Sequence, residues 1–100
     1  MQSLRTRGMM IEKTMLQRAD EMKERMVAWR RDFHMHPELS FQEKRTAGII
    51  AGELGKLGCD VRMVVDGAGV VADLGEGRPA IALRADIDAL PIEEANQTPY

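Results

Sequence analysis

The chain has 100 residues, which is enough for one small domain, because domains typically contain ~100–150 residues. Its composition, 44% hydrophobic and 30% charged, is typical of a globular protein and not of a disordered one. The 14 basic and 16 acidic residues give a net charge of −2, which argues against a nucleic-acid-binding surface. A single cysteine, Cys59, excludes an intramolecular disulfide, and no apolar stretch is long enough to cross a bilayer. We therefore expect a cytoplasmic protein with no nucleic-acid or membrane partner.

The first predicted element is an amphipathic helix. Its apolar residues recur at helical spacing from Ile11 to Phe33. Pro37 disfavours helical geometry at the residue before it, so the helix should end near His34. Residues 1–10 are expected to form a flexible N-terminus, and residues 11–100 to form part of one catalytic domain.

A second helix is predicted from its terminal signals. Ser40 and Glu43 have the spacing of a capping box, in which each side chain binds the other residue's backbone amide. Apolar residues then recur at gaps of three and four up to Leu57. Gly58 is placed to end the helix.

Beyond Gly58 the hydrophobic period changes from 3.6 to two, which indicates β-strands. Residues 61–65 alternate as a half-buried strand does, Asp66 and Gly67 supply a turn, and residues 70–74 form its hairpin partner. The apolar stretch at residues 80–85 predicts a central strand that is buried on both faces. The fold class is therefore α/β: two helices, a β-hairpin and a central strand.

Two carboxylates, Asp86 and Asp88, follow the predicted central strand. Functional groups gather at the carboxyl ends of strands in open α/β sheets. If the strand continued, the two side chains would point the same way and could share a metal ion, a proton or a basic partner such as Arg84. The alternative is that they only cap and solvate the end of the strand.

A second cluster, His34, His36 and Glu38, contains residue types that bind zinc. Two histidines at positions i and i+2 of a helix diverge, however, and Pro37 forces a turn. A helix-ending turn therefore explains this cluster better than a metal site does. Glu93 and Glu94, which lie beyond Pro91, are expected to face solvent.

Two blocks together resemble the metal-dependent amidohydrolases. The first is residues 29–41 (WRRDFHMHPELSF), and the second is residues 83–92 (LRADIDALPI) followed by Glu94. The family includes hippurate hydrolase, N-acyl-amino-acid amidohydrolases and the plant hydrolases of auxin–amino-acid conjugates, within the aminoacylase and carboxypeptidase superfamily. The resemblance extends from about Met22 to Tyr100, with the hairpin matching in order and spacing.

The resemblance implies an α/β catalytic domain interrupted by a smaller domain that serves as a lid or in dimerisation. It implies hydrolysis of the amide bond of N-acyl amino acids or short peptide-like substrates, with two divalent metal ions (Zn, Mn or similar) activating a water. The full-length enzyme could form homo-oligomers. The family's metal ligands come chiefly from a Cys-Gly-His element and later Glu and His residues, and this sequence contains none of these elements.

Asp88 stands where related enzymes carry the aspartate of a His-x-Asp pair, which orients a metal-binding histidine. Asp86 stands at the position of that histidine. The resemblance thus implies a supporting role for Asp88, and a weaker one for Asp86, but no metal ligand in this chain. We expect a truncated, inactive portion of the amidohydrolase. The alternatives are a non-catalytic interaction module or one half of a split enzyme.

Overall fold

The computed structural model describes residues 2–100, with side chains from Thr14 onward. The chain divides into two compact units, Met1–Asp32 and Phe33–Tyr100. The structure confirms the predicted order of two helices followed by a β-hairpin. The elements are α1 (Gln2–Met35), α2 (Lys44–Lys56), β1 (Asp60–Val64) and β2 (Gly69–Asp73).

Helix α1 ends at Met35, within a residue of the predicted end and before Pro37, as the restriction on residues preceding proline requires. Within the first unit, the guanidinium of Arg25 lies 5.0 Å from the ring centroid of Trp29, a cation–π distance. The predicted flexible segment, residues 1–10, lies outside the residues whose side chains are described, so it stays a prediction.

Gly58 ends helix α2 as predicted. The amide of Gly58 donates to the carbonyl of Gly55 over 3.0 Å, and the amide of Cys59 donates to that of Leu54 over 3.2 Å. This pair of hydrogen bonds is the Schellman motif, which needs a left-handed residue after the helix. Gly58 supplies it with a φ of 85°, a conformation that costs glycine little.

Strands β1 and β2 form an antiparallel pair in which Asp60 faces Asp73 and Val64 faces Gly69. Val65 and Asp66 occupy the tight turn with φ angles of 53° and 52°. The turn closes with a hydrogen bond of 3.1 Å from the Gly67 amide to the Val64 carbonyl. Gly67 also has a positive φ of 85°, so three consecutive residues of the four-residue connection between Val64 and Gly69 are left-handed.

The predicted central strand was wrong. Residues 80–85 form no helix or strand, and the described residues contain one sheet, made of β1 and β2 only. The side chains of Ile81 and Leu83 are 92% and 98% exposed instead of buried. The physical reason is that a strand requires a hydrogen-bonded neighbour, and no described segment pairs with this stretch.

Helix α2 contacts both strands of the hairpin, and the buried apolar residues of the second unit are small. Ala47 of the helix is fully buried, and Ala68 of the turn is 4% exposed. The buried Thr46 stands beside Ala47, so the first turn of α2 is the best-packed part of the second unit. Among the described residues, no helix has the length and apolar character that a membrane span requires.

The hairpin turn provides a stability test. A β-branched residue with positive φ is strained, and the left-handed conformation costs ordinary L-residues roughly 1–2 kcal/mol. Val65→Asn should therefore raise the free energy of unfolding by about 1 kcal/mol, since asparagine visits this conformation readily. Urea unfolding followed by circular dichroism measures the change. Val65→Ala is the matched control, because alanine keeps the unfavourable φ. An unchanged or lower stability of Val65→Asn would contradict the turn geometry.

Candidate functional site

The carboxylate of Glu38 caps the N-terminus of α2. Its Oε2 accepts a hydrogen bond of 3.1 Å from the amide of Arg45. Its Oε1 accepts two of 2.6 Å, from the amide and the hydroxyl of Thr46. A carboxylate here satisfies amides that lack partners within the helix and interacts favourably with the helix dipole.

The surroundings of Glu38 lower the pKa of its carboxyl group below the ordinary value of 4.5. Burial raises this pKa, but the hydrogen bonds from Thr46 and Arg45, together with the positive charge of Arg45, outweigh burial and favour the ionised form. The cap is therefore charged at neutral pH.

The predicted capping box of Ser40 and Glu43 was wrong. Glu43 occupies the N-cap position without a side-chain capping hydrogen bond, and the helix begins at Lys44. The chain turns before the helix: Phe41 has a φ of 66°, and the amide of Gln42 donates to the carbonyl of Leu39 over 2.9 Å. This turn delays the start of the helix, so the capping role falls to Glu38.

The hydroxyl of Ser40 instead donates to Oδ2 of Asp88 over 2.8 Å, between residues 48 positions apart in the chain. The amide of the next residue, Ala89, donates to the backbone carbonyl of Glu38, also over 2.8 Å. Two hydrogen bonds from adjacent positions thus hold Asp88 and Ala89 against the segment that precedes α2.

Asp86 and Asp88 have different partners in the structure. Its carboxylate lies 3.0 Å from the Arg84 guanidinium, and both side chains are largely exposed. The sequence interpretation named Arg84 as a basic partner, and the structure confirms that pairing for Asp86. The expectation that the two aspartates point the same way required a continuing strand, which the structure does not contain.

Glu94 does not simply face solvent, as the sequence suggested. It is half-buried, and Nε2 of His34 donates to its Oε2 over 2.5 Å. Its Oε1 accepts from the amide and the side-chain nitrogen of Asn96. The hydrogen bonds from Asn96 and His34 hold the pKa of Glu94 below its ordinary value of 4.5.

The two sequence blocks therefore lie against each other in antiparallel register. His34 binds Glu94, Glu38 binds Ala89 and Ser40 binds Asp88. A cavity of about 500 Å³ opens beside the pair, lined mainly by apolar atoms of Pro37, Leu90 and Ile92 and bordered by His34 and Glu94. Sequence reasoning named Glu38, Ser40 and Glu94 in other roles, and it missed the contacts that they make here. All three residues belong to the two blocks, and this membership is the sequence signal that could have identified them as part of the site.

The described residues do not form a metal-binding site. They contain no group of three or more His, Cys, Asp or Glu side chains that could hold one. His34, one of the two histidines of the alternative zinc cluster, is hydrogen-bonded to Glu94. The site can position carboxylates and histidine by hydrogen bonds, but metal chemistry requires ligands from elsewhere.

Comparison with known proteins shows relatives that match nearly the whole chain. A Bacillus subtilis protein named as an amidohydrolase, YhaA, is 47% identical over 92 residues, which is 90% of this chain and 23% of that protein. The N-acyl-L-amino acid amidohydrolase of Geobacillus stearothermophilus is 44% identical over 79 residues, or 77% of this chain and 21% of that enzyme. An Arabidopsis thaliana IAA-amino acid hydrolase is 44% identical over 70 residues, 69% of this chain and 16% of its own length. This chain is homologous to a segment of amidohydrolases.

The chain spans about a fifth of the length of these curated amidohydrolase relatives. One further relative, from Rhodococcus jostii, carries a different name, glutamate–cysteine ligase. It is 41% identical over 95 residues, 94% of this chain, but the match covers 12% of that protein, so most of the ligase lies outside it. No family model matches the chain, and no solved structure matches it.

The Glu38 cap makes stability depend on pH in a defined direction. Glu38→Gln should lower the free energy of unfolding by about 1 kcal/mol at pH 7, because the charged cap is lost. The folded pKa is depressed, so the contribution of Glu38 is complete above the ordinary value of 4.5 and disappears as pH falls through the lower folded pKa. The difference between wild type and variant should therefore vanish in acid.

Urea unfolding at a series of pH values measures this difference. Glu76→Gln is the matched control, since Glu76 is exposed in the loop after β2 and should leave stability unchanged at every pH. A Glu38→Gln variant as stable as wild type at pH 7, or a difference that persists below the folded pKa, would contradict the capping role.

Proposed function

We propose that this chain is a portion of an enzyme that hydrolyses the amide bond of N-acyl amino acids, and that the chain alone is inactive. The observation that carries the proposal is the 44% identity with an N-acyl-L-amino acid amidohydrolase over 77% of the chain. The spatial pairing of the two blocks supports it, because the residues that carry the resemblance also form the most connected cluster of the second unit.

The exposure of apolar side chains supports the view that the chain is part of a larger fold. Ile81 and Leu83 are almost fully exposed, and Leu90 and Ile92 are 70% and 69% exposed. Large apolar side chains exposed to this extent are usually covered by other polypeptide. In the complete enzyme, this extended segment would become the buried strand that its composition predicts.

Within that enzyme, Asp88 would support catalysis by accepting a hydrogen bond from another active-site side chain. Asp86 would have a weaker supporting role, since its carboxylate is paired with Arg84. Divalent metal ions would be held by residues outside this chain, since the described residues do not fit them. The substrate would be an N-acyl amino acid or a short peptide-like amide. A homo-oligomeric state and a cytoplasmic location remain predictions for the full-length enzyme.

A chimeric enzyme tests the proposal. Residues 22–100 of this chain replace the homologous segment of the Geobacillus stearothermophilus amidohydrolase, and hydrolysis of an N-acyl-L-amino acid is measured. The chimera should hydrolyse the substrate, because the segment supplies equivalent structural support. The 100-residue chain by itself should show no hydrolysis above background.

The matched control is the same scaffold enzyme with the segment deleted, which should be inactive. A chimera that folds, as judged by its circular dichroism spectrum, but is no more active than the deletion would contradict the proposed function. Hydrolysis by the 100-residue chain alone would contradict the claim that it is an inactive portion.

A further inference from the structure

We propose that Ser40 is a positioning residue for Asp88, an inference that rests on the proposed function. The hydroxyl of Ser40 donates to Oδ2 of Asp88 over 2.8 Å. This hydrogen bond selects one orientation of the carboxylate and leaves Oδ1 as the oxygen available to the active site. Neither the relatives' names nor the sequence blocks assign Ser40 such a role.

The backbone on both sides of this contact is fixed. The amide of Ala89 donates to the carbonyl of Glu38 over 2.8 Å, which sets the position of Asp88 along the chain. Glu38 is in turn attached to α2 through its bonds to Arg45 and Thr46, and Thr46 is buried. The segment that carries Ser40 is therefore held by hydrogen bonds to α2 and to Ala89.

The side chain of Asp88 needs such a partner because it is exposed. An exposed carboxylate samples several rotamers, and ordering it costs conformational entropy. A hydrogen bond formed before substrate binds removes part of that cost, and small misplacements of a supporting group reduce rates strongly. Ser40 thus contributes to the reaction through Asp88 and does not itself touch substrate.

The contact is separate from the stability of helix α2. Glu38 caps that helix, so the Ser40 hydroxyl is not required there. Ser40 is also exposed, and removing its hydroxyl leaves no buried group without a partner. A Ser40→Ala variant should therefore fold as wild type does, which separates positioning from a purely structural role.

The first test measures the Asp88 side chain in the 100-residue chain by nuclear magnetic resonance. The three-bond couplings between its Hα and Hβ protons should report one dominant χ1 rotamer in wild type and averaged rotamers in Ser40→Ala. Ser40→Thr, which keeps a hydroxyl, should restore the single rotamer. Averaged couplings in wild type, or couplings that Ser40→Ala leaves unchanged, would overturn the proposal.

The second test introduces the same substitutions into the chimeric amidohydrolase. Ser40→Ala should lower kcat on the order of 10-fold with KM and melting temperature unchanged, and Ser40→Thr should recover most of the loss. Thr98→Ala is the matched control, because it removes a hydroxyl that donates only to the backbone carbonyl of Tyr100. An active chimera whose kcat is insensitive to Ser40→Ala would overturn the positioning role, as would a loss that follows the melting temperature and is not rescued by threonine.

The two tests distinguish a failure of the proposed function from a failure of the positioning role of Ser40. An inactive chimera whose segment still shows the Ser40-dependent rotamer of Asp88 refutes the proposed function and leaves the Ser40–Asp88 contact supported. An active chimera without that rotamer dependence refutes the role of Ser40 and leaves the proposed function supported.

Discussion

Glu38 makes two sets of hydrogen bonds on which the geometry of the second unit depends. Its carboxylate binds the amides of Arg45 and Thr46 at the start of α2, and its backbone carbonyl accepts from the amide of Ala89. The first set determines where the helix begins, and the second determines where the distant second block lies. The carboxylate is favoured in its charged form by its several donors and anchors the helix, while the backbone carbonyl of the same residue holds the second block.

Packing around this anchor relies on small side chains. Ala47 of α2 and Ala68 of the turn are the buried apolar residues, while large apolar residues such as Leu83 remain exposed. A core of this size provides little hydrophobic stabilisation, so the hydrogen bonds of Glu38 matter more than they would in a larger domain. Exposed apolar residues are expected in a segment that corresponds to about a fifth of the length of its amidohydrolase relatives.

Local signals predicted the local elements correctly, and contacts between distant residues account for the differences. The end of α2 at Gly58 and the hairpin turn at Asp66 were readable because each depends on a few adjacent residues. Ser40 and Glu43 had the right spacing for a capping box, but the distant Asp88 accepts the Ser40 hydroxyl, and the nearby Glu38 reaches the helix amides across the local turn at Phe41. The apolar stretch at residues 80–85 has the composition of a strand. A strand must pair with a neighbouring segment, however, and the local sequence does not show whether such a neighbour is present. Family resemblance located the two blocks without showing that they touch.

The two blocks are joined by hydrogen bonds centred on Glu38. The most direct measurement is the scalar coupling transmitted through the hydrogen bond between the Ala89 amide nitrogen and the Glu38 carbonyl carbon, recorded on isotopically labelled protein. We predict a detectable coupling together with slow exchange of the Ala89 amide proton with solvent. No coupling, with exchange as fast as in an unstructured peptide, would show that the blocks are not joined and would contradict the account.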